Sequence, residues 1–190
     1  MAAHQKDART GHSNRKATST KSTRRKPASA SAGPRSRSAA AKPIRYYVVR
    51  NSPIHGRGVF AARTIRGKQT IIEYRGERTT WDDANARPPS DPDNPYHTFL
   101  FGLDDGRVID ADVRGNAARW INHSCRPNCE TYEDDKGRVF IAARRRIERG
   151  EELTYDYQLT WEGRMGKKMR AAYTCRCGAR RCRGTMLAKK

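Results

Sequence analysis

Apolar positions in this chain fall in short runs broken by turn residues, the pattern of small β-strands rather than of long helices. Tyr46-Tyr47-Val48-Val49 predicts a first strand, starting once Pro43 has closed a polar stretch. Val59-Phe60, Thr70–Tyr74, Phe99–Leu103, Val108-Ile109, Thr131-Tyr132, Val139–Ala143 and Leu153–Tyr157 predict others. Asp104-Asp105-Gly106 and Asp134–Gly137 carry hairpin signals between such runs. Trp81–Ala86 predicts one or two helical turns. Arg87–Pro95, with Pro88, Pro89, Pro92 and Pro95, predicts an irregular surface loop. Residues 158–174 read as a polar, basic bridge. TIRGKQTII and RIERGEELT echo each other faintly, over too few residues to count as a repeat. The expected fold class is mostly β, a domain of small sheets.

Charge changes this picture at one end. The 190 residues hold 40 Lys/Arg and 20 Asp/Glu, a net +20. Residues 1–43 hold 11 Lys/Arg and a single acid, Asp7, so half of the excess sits on less than a quarter of the chain. That segment has almost no large apolar side chain and cannot bury enough surface to offset chain entropy, so it is expected to be a disordered basic tail. Its composition suits nucleic acid or another polyanion through counterion release; a solvated arm is the alternative. An Arg- and Ser-rich, acid-poor start also leaves an organelle transit peptide open. No apolar run approaches the roughly 18–20 residues of a membrane span, and no secretory signal core is visible.

Candidate chemistry concentrates in Gly115–Cys129, GNAARWINHSCRPNC. An apolar patch (Ala117, Ala118, Trp120, Ile121) runs into Asn122-His123-Ser124-Cys125, and Pro127 then bars a continuing helix. An amide, an imidazole, a hydroxyl and a thiol beside a hydrophobic anchor form a candidate site. Glu151–Tyr157 (EELTYDY) puts Tyr155 and Tyr157 on one face of a strand. Tyr173–Gly184 (YTCRCGARRCRG) brings Cys175, Cys177 and Cys182, and with Cys125 these make the four thiolates that tetrahedral zinc takes. That spacing favours metal and a reducing compartment; disulfides are the alternative, and Cys129 is left over. In SPIHGRGVFA, Gly56 and Gly58 flank Arg57: either a place for backbone to pass close to a ligand or a plain hairpin turn. There is no dinucleotide fingerprint.

Taken in order, SPIHGRGVFA, IIEYRGE, GNAARWINHSCRPNC, EELTYDY and CRCGARRCRG resemble the SET-domain protein lysine methyltransferases that end in a post-SET zinc motif. The resemblance covers about residues 45–187. It implies the SET β-clip fold of small curved sheets, in which the NHSC segment and the TYDY strand cross in a pseudoknot. It divides the chain into a tail (1–43), a SET domain (44–160) and a post-SET segment (161–190). It implies S-adenosylmethionine on one face and a substrate lysine entering from the other. Matched residue by residue, His55, Gly56, Arg57, Gly58, Tyr74, Asn122 and His123 fall in the donor pocket. Tyr157 matches the catalytic tyrosine, and Tyr155 the position that tunes how many methyls are added. Cys125, Cys175, Cys177 and Cys182 match a structural zinc site. Trp120 stands where phenylalanine is usual, and no cysteine cluster precedes Cys125, so a pre-SET zinc module is missing.

The expected function is lysine N-methyl transfer to a protein, histone or histone-like by family analogy, from a monomer with no membrane partner. The expected location is intracellular: cytoplasm or nucleoid in a bacterium, nucleus and chromatin in a eukaryote. Two rivals remain: a basic zinc-knuckle nucleic-acid-binding protein, rich in Arg176, Arg180, Arg181 and Arg183, and an inactive SET scaffold.

Overall fold

The short apolar runs become ten strands and two short helices in a computed structural model that describes residues 45–161 and 163–189. The tail expected over residues 1–43 lies outside the described residues. The first strands are β1 (Tyr47–Asn51), β2 (Arg57–Ala61), β3 (Thr70–Tyr74) and β4 (Glu77–Thr79). Helix α1 (Trp81–Ala86) follows, then β5 (Leu100–Gly102), β6 (Val108–Asp110) and a single 3₁₀ turn at Ala117–Trp120. The chain continues through β7 (Asn122–His123), β8 (Cys129–Glu133), β9 (Val139–Ala143), β10 (Thr154–Tyr155) and α2 (Lys167–Ala172).

These strands pair into small sheets. β1 and β2 form an antiparallel hairpin with Tyr47 opposite Ala61. β3-β9-β8 and β4-β6-β5 are antiparallel three-stranded sheets. β7 and β10 pair in parallel although far apart in sequence. Between the sheets, Val59, Ile65, Ile121, Ile141, Ile147 and Leu153 are completely buried. Each such side chain contributes about 1.5–3 kcal/mol by leaving water.

Local chemistry sets the ends of α1. Thr80 Oγ1 accepts from Asp83 N at 3.1 Å, Asp82 and Asp83 occupy the first turn, and Pro88 stops the helix. Past it, Arg87 grips Asp110 (2.5 Å) and Glu77 (3.2 Å), fixing the proline-rich loop to two strands of one sheet.

The expected featureless bridge over 158–174 is more ordered than its composition suggested. α2 sets Met169 with Met165, Tyr173, Leu159 and Leu187 in a second small apolar cluster. A six-residue helix gives too short a periodic signal to read, and the partners that bury it come from distant positions. The two echoing segments also meet: Ile65 and Ile147 form an antiparallel bridge.

Candidate active site

The site is built on the β7–β10 pair. Asn122 lies opposite Thr154 and His123 opposite Tyr155, so NHSC and TYDY run side by side. Asn128 holds the register: its Nδ2 donates to Glu152 O (2.8 Å) and its Oδ1 accepts from Thr154 N (2.9 Å). Such pairing gives buried polar groups their required partners.

Asn122 ties this pair to the β1–β2 hairpin. Its Nδ2 lies within hydrogen-bond reach of Arg57 O (2.9 Å), His55 O (3.2 Å), Ser52 Oγ (3.1 Å) and Glu152 Oε1 (2.8 Å). Ser52 Oγ also donates to Glu152 at 2.7 Å. Gly58 is required by this cluster, since a Cβ there would stand 2.3 Å from Glu152 Oε1 and 2.8 Å from Ser52 Cβ. Gly56 takes φ +44° in the hairpin loop. The close approach that Gly58 allows is therefore to the protein's own side chains, whereas a Cβ at Gly56 would meet nothing within 4 Å.

His123 is almost fully buried. Its Nδ1 accepts from Tyr157 N at 3.1 Å, which leaves the ring proton on Nε2, 3.4 Å from Cys125 Sγ. Burial drives its pKa down to about 4 against the pull of Asp156, so the ring is neutral at pH 7.

Aromatic rings pack beyond the pair. Tyr155 stands 4.9 Å from Tyr157 and 6.5 Å from Phe101, Phe101 is 5.2 Å from Tyr74, and Phe99 is 4.9 Å edge-on to Trp120, between ring centroids. The hydroxyls have fixed directions: Tyr157 donates to Ile121 O at 2.8 Å and Tyr74 to Phe99 O at 3.0 Å. Burial pushes both phenols well above their ordinary pKa, Tyr157 further by Glu152 and Tyr74 further by Tyr157. Both are protonated at neutral pH.

On the other side of Tyr157 lies a cavity of about 200 Å³. Of the expected donor-pocket residues, His55, Asn122 and His123 line it, together with Tyr157. Gly56, Arg57, Gly58, Tyr74 and Tyr155 do not; the Arg57 guanidinium instead sits 5.2 Å over the Trp120 ring. His97, Tyr173, Arg176 and Met186 also face the cavity. Sequence reasoning missed these four as site residues, because they come from loops whose convergence no local pattern records.

The cysteine segment adjoins the cavity, to which it contributes Tyr173, Thr174, Arg176 and Met186. The sulfurs of Cys125, Cys175, Cys177 and Cys182 all lie within 4.8 Å of one another. A tetrahedral zinc with bonds of about 2.3 Å places its sulfurs about 3.8 Å apart. Cys125 Sγ is 3.7 Å from Cys175 and 3.8 Å from Cys182, which fits. Backbone N–H groups of Arg183 and Gly184 point at Cys125 and Cys182 sulfurs (3.3 Å each), as thiolates require. Cys129 stands apart, buried, its thiol pushed up to about 12 by that burial and so unreactive. One ion pair locks this segment to the stretch that follows β10. Arg183 Nη1 and Nη2 donate to Asp156 Oδ2 (2.5 Å) and Oδ1 (2.8 Å), and Asp156 lies between Tyr155 and Tyr157.

The parallel strand pair thus brings together a cavity of mixed polar and aromatic walls, a buried aromatic cluster and four thiols. The SET domain model matches residues 56–158, and the chain belongs to the SET-domain family. It is 41% identical over 143 residues to the histone-lysine N-methyltransferase trithorax of Drosophila virilis, across 73% of this chain and 4% of that protein. It is 41% identical over 138 residues to human histone-lysine N-methyltransferase 2B (71% and 5%). It is 39% identical over 147 residues to an H3 lysine-4-specific histone-lysine N-methyltransferase of Aspergillus oryzae (75% and 11%). The chain therefore spans about a tenth or less of the length of these relatives.

Proposed function

We propose that this chain is a protein lysine N-methyltransferase that uses S-adenosylmethionine and acts on a histone or a histone-like, DNA-bound protein. The observation that carries the reading is the β7–β10 pair, beside which Tyr157 both lines the cavity and packs against the buried aromatic cluster. Bound S-adenosylmethionine would supply an electrophilic methyl on a positively charged sulfur. The cavity suits such a ligand: apolar and aromatic walls for an adenosyl group, with Asn122, His123 and Arg176 as polar and charged anchors.

The chain's own residues supply alignment. A lysine amine with an ordinary pKa of about 10.4 must lose its proton before it can attack. A lysine entering beside Tyr74, Phe101 and Tyr155, all under 4% exposed, would meet aromatic rings that disfavour the charged ammonium and keep water out. Tyr157 spends its proton on Ile121 O, so its oxygen presents lone pairs to the reacting centre and acts by orientation, not as an anionic base. Tyr155 would border the same space and set how many methyls fit. Cys125, Cys175, Cys177 and Cys182 would hold a structural zinc, four thiolates leaving no position open for water.

The tail at residues 1–43 would add a nucleic-acid contact. Among the described residues no helix is long and apolar enough to cross a membrane. The test is direct. Calorimetry with S-adenosylmethionine should show one-site binding. Incubation with labelled donor and purified histones should place label on lysine by mass spectrometry. Donor binding without any methylated lysine in histones or in whole lysate would leave an inactive scaffold; no donor binding would remove the reading altogether.

A further inference from the structure

The echo between TIRGKQTII and RIERGEELT acquires a meaning once the two segments are seen together. Ile65 N donates to Ile147 O (2.9 Å) and Ile147 N to Ile65 O (3.0 Å); Lys68 N donates to Ala143 O (2.7 Å). Both isoleucines are completely buried, so the two turns are pinned side by side from beneath. Their outer faces are cationic. Arg63, Arg66 and Lys68 stand on one turn, and Arg144, Arg145, Arg146 and Arg149 on the other, all exposed. Three carboxylates answer them: Glu130 pairs with Lys68 (2.8 Å), Glu151 with Arg145 (2.7 Å) and Glu148 with Arg146 (2.5 Å). Among the described residues, Arg63, Arg66, Arg144 and Arg149 have no carboxylate partner.

We propose that these paired turns form a phosphate-binding face for duplex DNA, held by the folded domain itself and separate from the candidate active site. Guanidinium forks match phosphate oxygens in pairs, and four of them carry no carboxylate that a phosphate would have to displace. None of the seven cations lines the cavity, so DNA and methyl donor can be bound together. Two features select a duplex among polyanions. The apolar residues of the turns, Ile65 and Ile147, are buried, leaving nothing to insert into a lipid surface. Tyr46 is half-buried beneath Arg63 (5.2 Å), and Tyr132, the exposed ring whose hydroxyl bonds Thr70 (2.8 Å), already has one face stacked on Phe140, so neither ring stands free for a base to slot against on both sides.

The face stands whether or not the chain transfers methyl groups, and its test reads DNA alone. Full-length protein is titrated with a fluorescent 20-base-pair duplex at several salt concentrations. In the R66A/R144A/R149A variant the slope of log affinity against log salt should flatten by about 2.7, at about 0.9 for each phosphate no longer neutralised, and affinity at 0.15 M salt should fall roughly 100-fold. Lysine at the same three positions should restore the slope. R164A/K167A/K168A removes equal charge from an exposed stretch elsewhere and should change it little. Donor calorimetry on each variant reports folding and the active site independently. An unchanged slope in the first variant, an equal loss in the third, or equally patch-dependent binding of single-stranded DNA or of phosphatidylserine vesicles would overturn the proposal.

Discussion

Arg183 and Asp156 give the sharpest test of how the cysteine segment supports the β7–β10 pair. The pair is bidentate, at 2.5 and 2.8 Å, and the side chains are 16% and 20% exposed. Arg183→Met keeps the length and apolar stem of the side chain but leaves the Asp156 carboxylate without its fork. Removing one partner of a fully buried ion pair costs about 3–5 kcal/mol. With a fifth of each side chain still wetted, about 2–3 kcal/mol is the appropriate scale. At about 3 °C per kcal/mol for a domain of this size, the melting temperature should drop by roughly 6–9 °C. Asp156→Asn should cost a similar amount, and the double variant little more than either single one. The coupling read from that cycle should be about 2 kcal/mol. Because Asp156 precedes Tyr157, the single variants should also weaken S-adenosylmethionine binding in calorimetry. The assay is thermal or urea unfolding of the four proteins at pH 7.5. Additive effects, or Arg183→Met melting within a degree of the parent, would falsify the claim that this fork fastens the two parts.

The remaining predictions concern the chemistry. Tyr157→Phe should lower single-turnover methylation about 100-fold, the scale of a lost positioned group, with donor affinity nearly unchanged; comparable rates in the two proteins would dismiss the orienting role. Since burial holds the Tyr157 hydroxyl above its ordinary pKa, the rate should rise with pH as the substrate amine deprotonates and show no fall from this phenol up to about pH 10. Tyr155→Phe should move products from mono- towards di- and tri-methyl lysine, and mass spectra with an unaltered methyl distribution would refute that. A strong zinc chelator should raise hydrogen exchange across residues 163–189 and abolish donor binding together; a metal-free protein that still binds donor would contradict the structural role of the thiols.

Much of this site was legible because its chemistry is local in sequence. NHSC and TYDY each fit within a few residues, and hairpin signals such as Asp134–Gly137 gave strand limits close to those observed. The four cysteines could be grouped by spacing, and their sulfurs do gather. What stayed hidden depends on distant partners. Asp156 sat in plain view inside EELTYDY, but its role comes from Arg183, one arginine among several in a basic stretch. Ser52 and Glu152, on which Asn122 rests, are ordinary residues until the hairpin and the β7–β10 pair meet. Arg57 lay within a ligand-like motif, yet its side chain stacks on Trp120, since a guanidinium with an open aromatic face nearby gains by covering it. α2 was hidden for another reason: six residues complete too few turns to display a period.

One chain of contacts explains why a cysteine cluster belongs beside this strand pair. Cys125 Sγ faces His123 Nε2, His123 Nδ1 accepts from Tyr157 N, and Tyr157 Oη donates to Ile121 O, one residue before β7 begins. His123, which also lies 3.5 Å from Asp156 Oδ1, thus holds the backbone that carries Tyr157 while Ile121 O holds its hydroxyl, and His123 itself leans on Cys125. A ring held neutral, with its proton on Nε2, can donate towards a thiolate sulfur while accepting from a backbone amide; a protonated ring could not accept from Tyr157 N. Gathering four thiolates around a cation would therefore act at a distance on the hydroxyl, by fixing the one sulfur that the imidazole leans on. It follows that His123→Phe, which keeps the packing and removes both nitrogens, should damage turnover more than donor affinity, whereas loss of the metal should damage both. Equal losses of turnover and affinity in His123→Phe would mean that the ring serves the cavity wall alone and relays nothing to Tyr157.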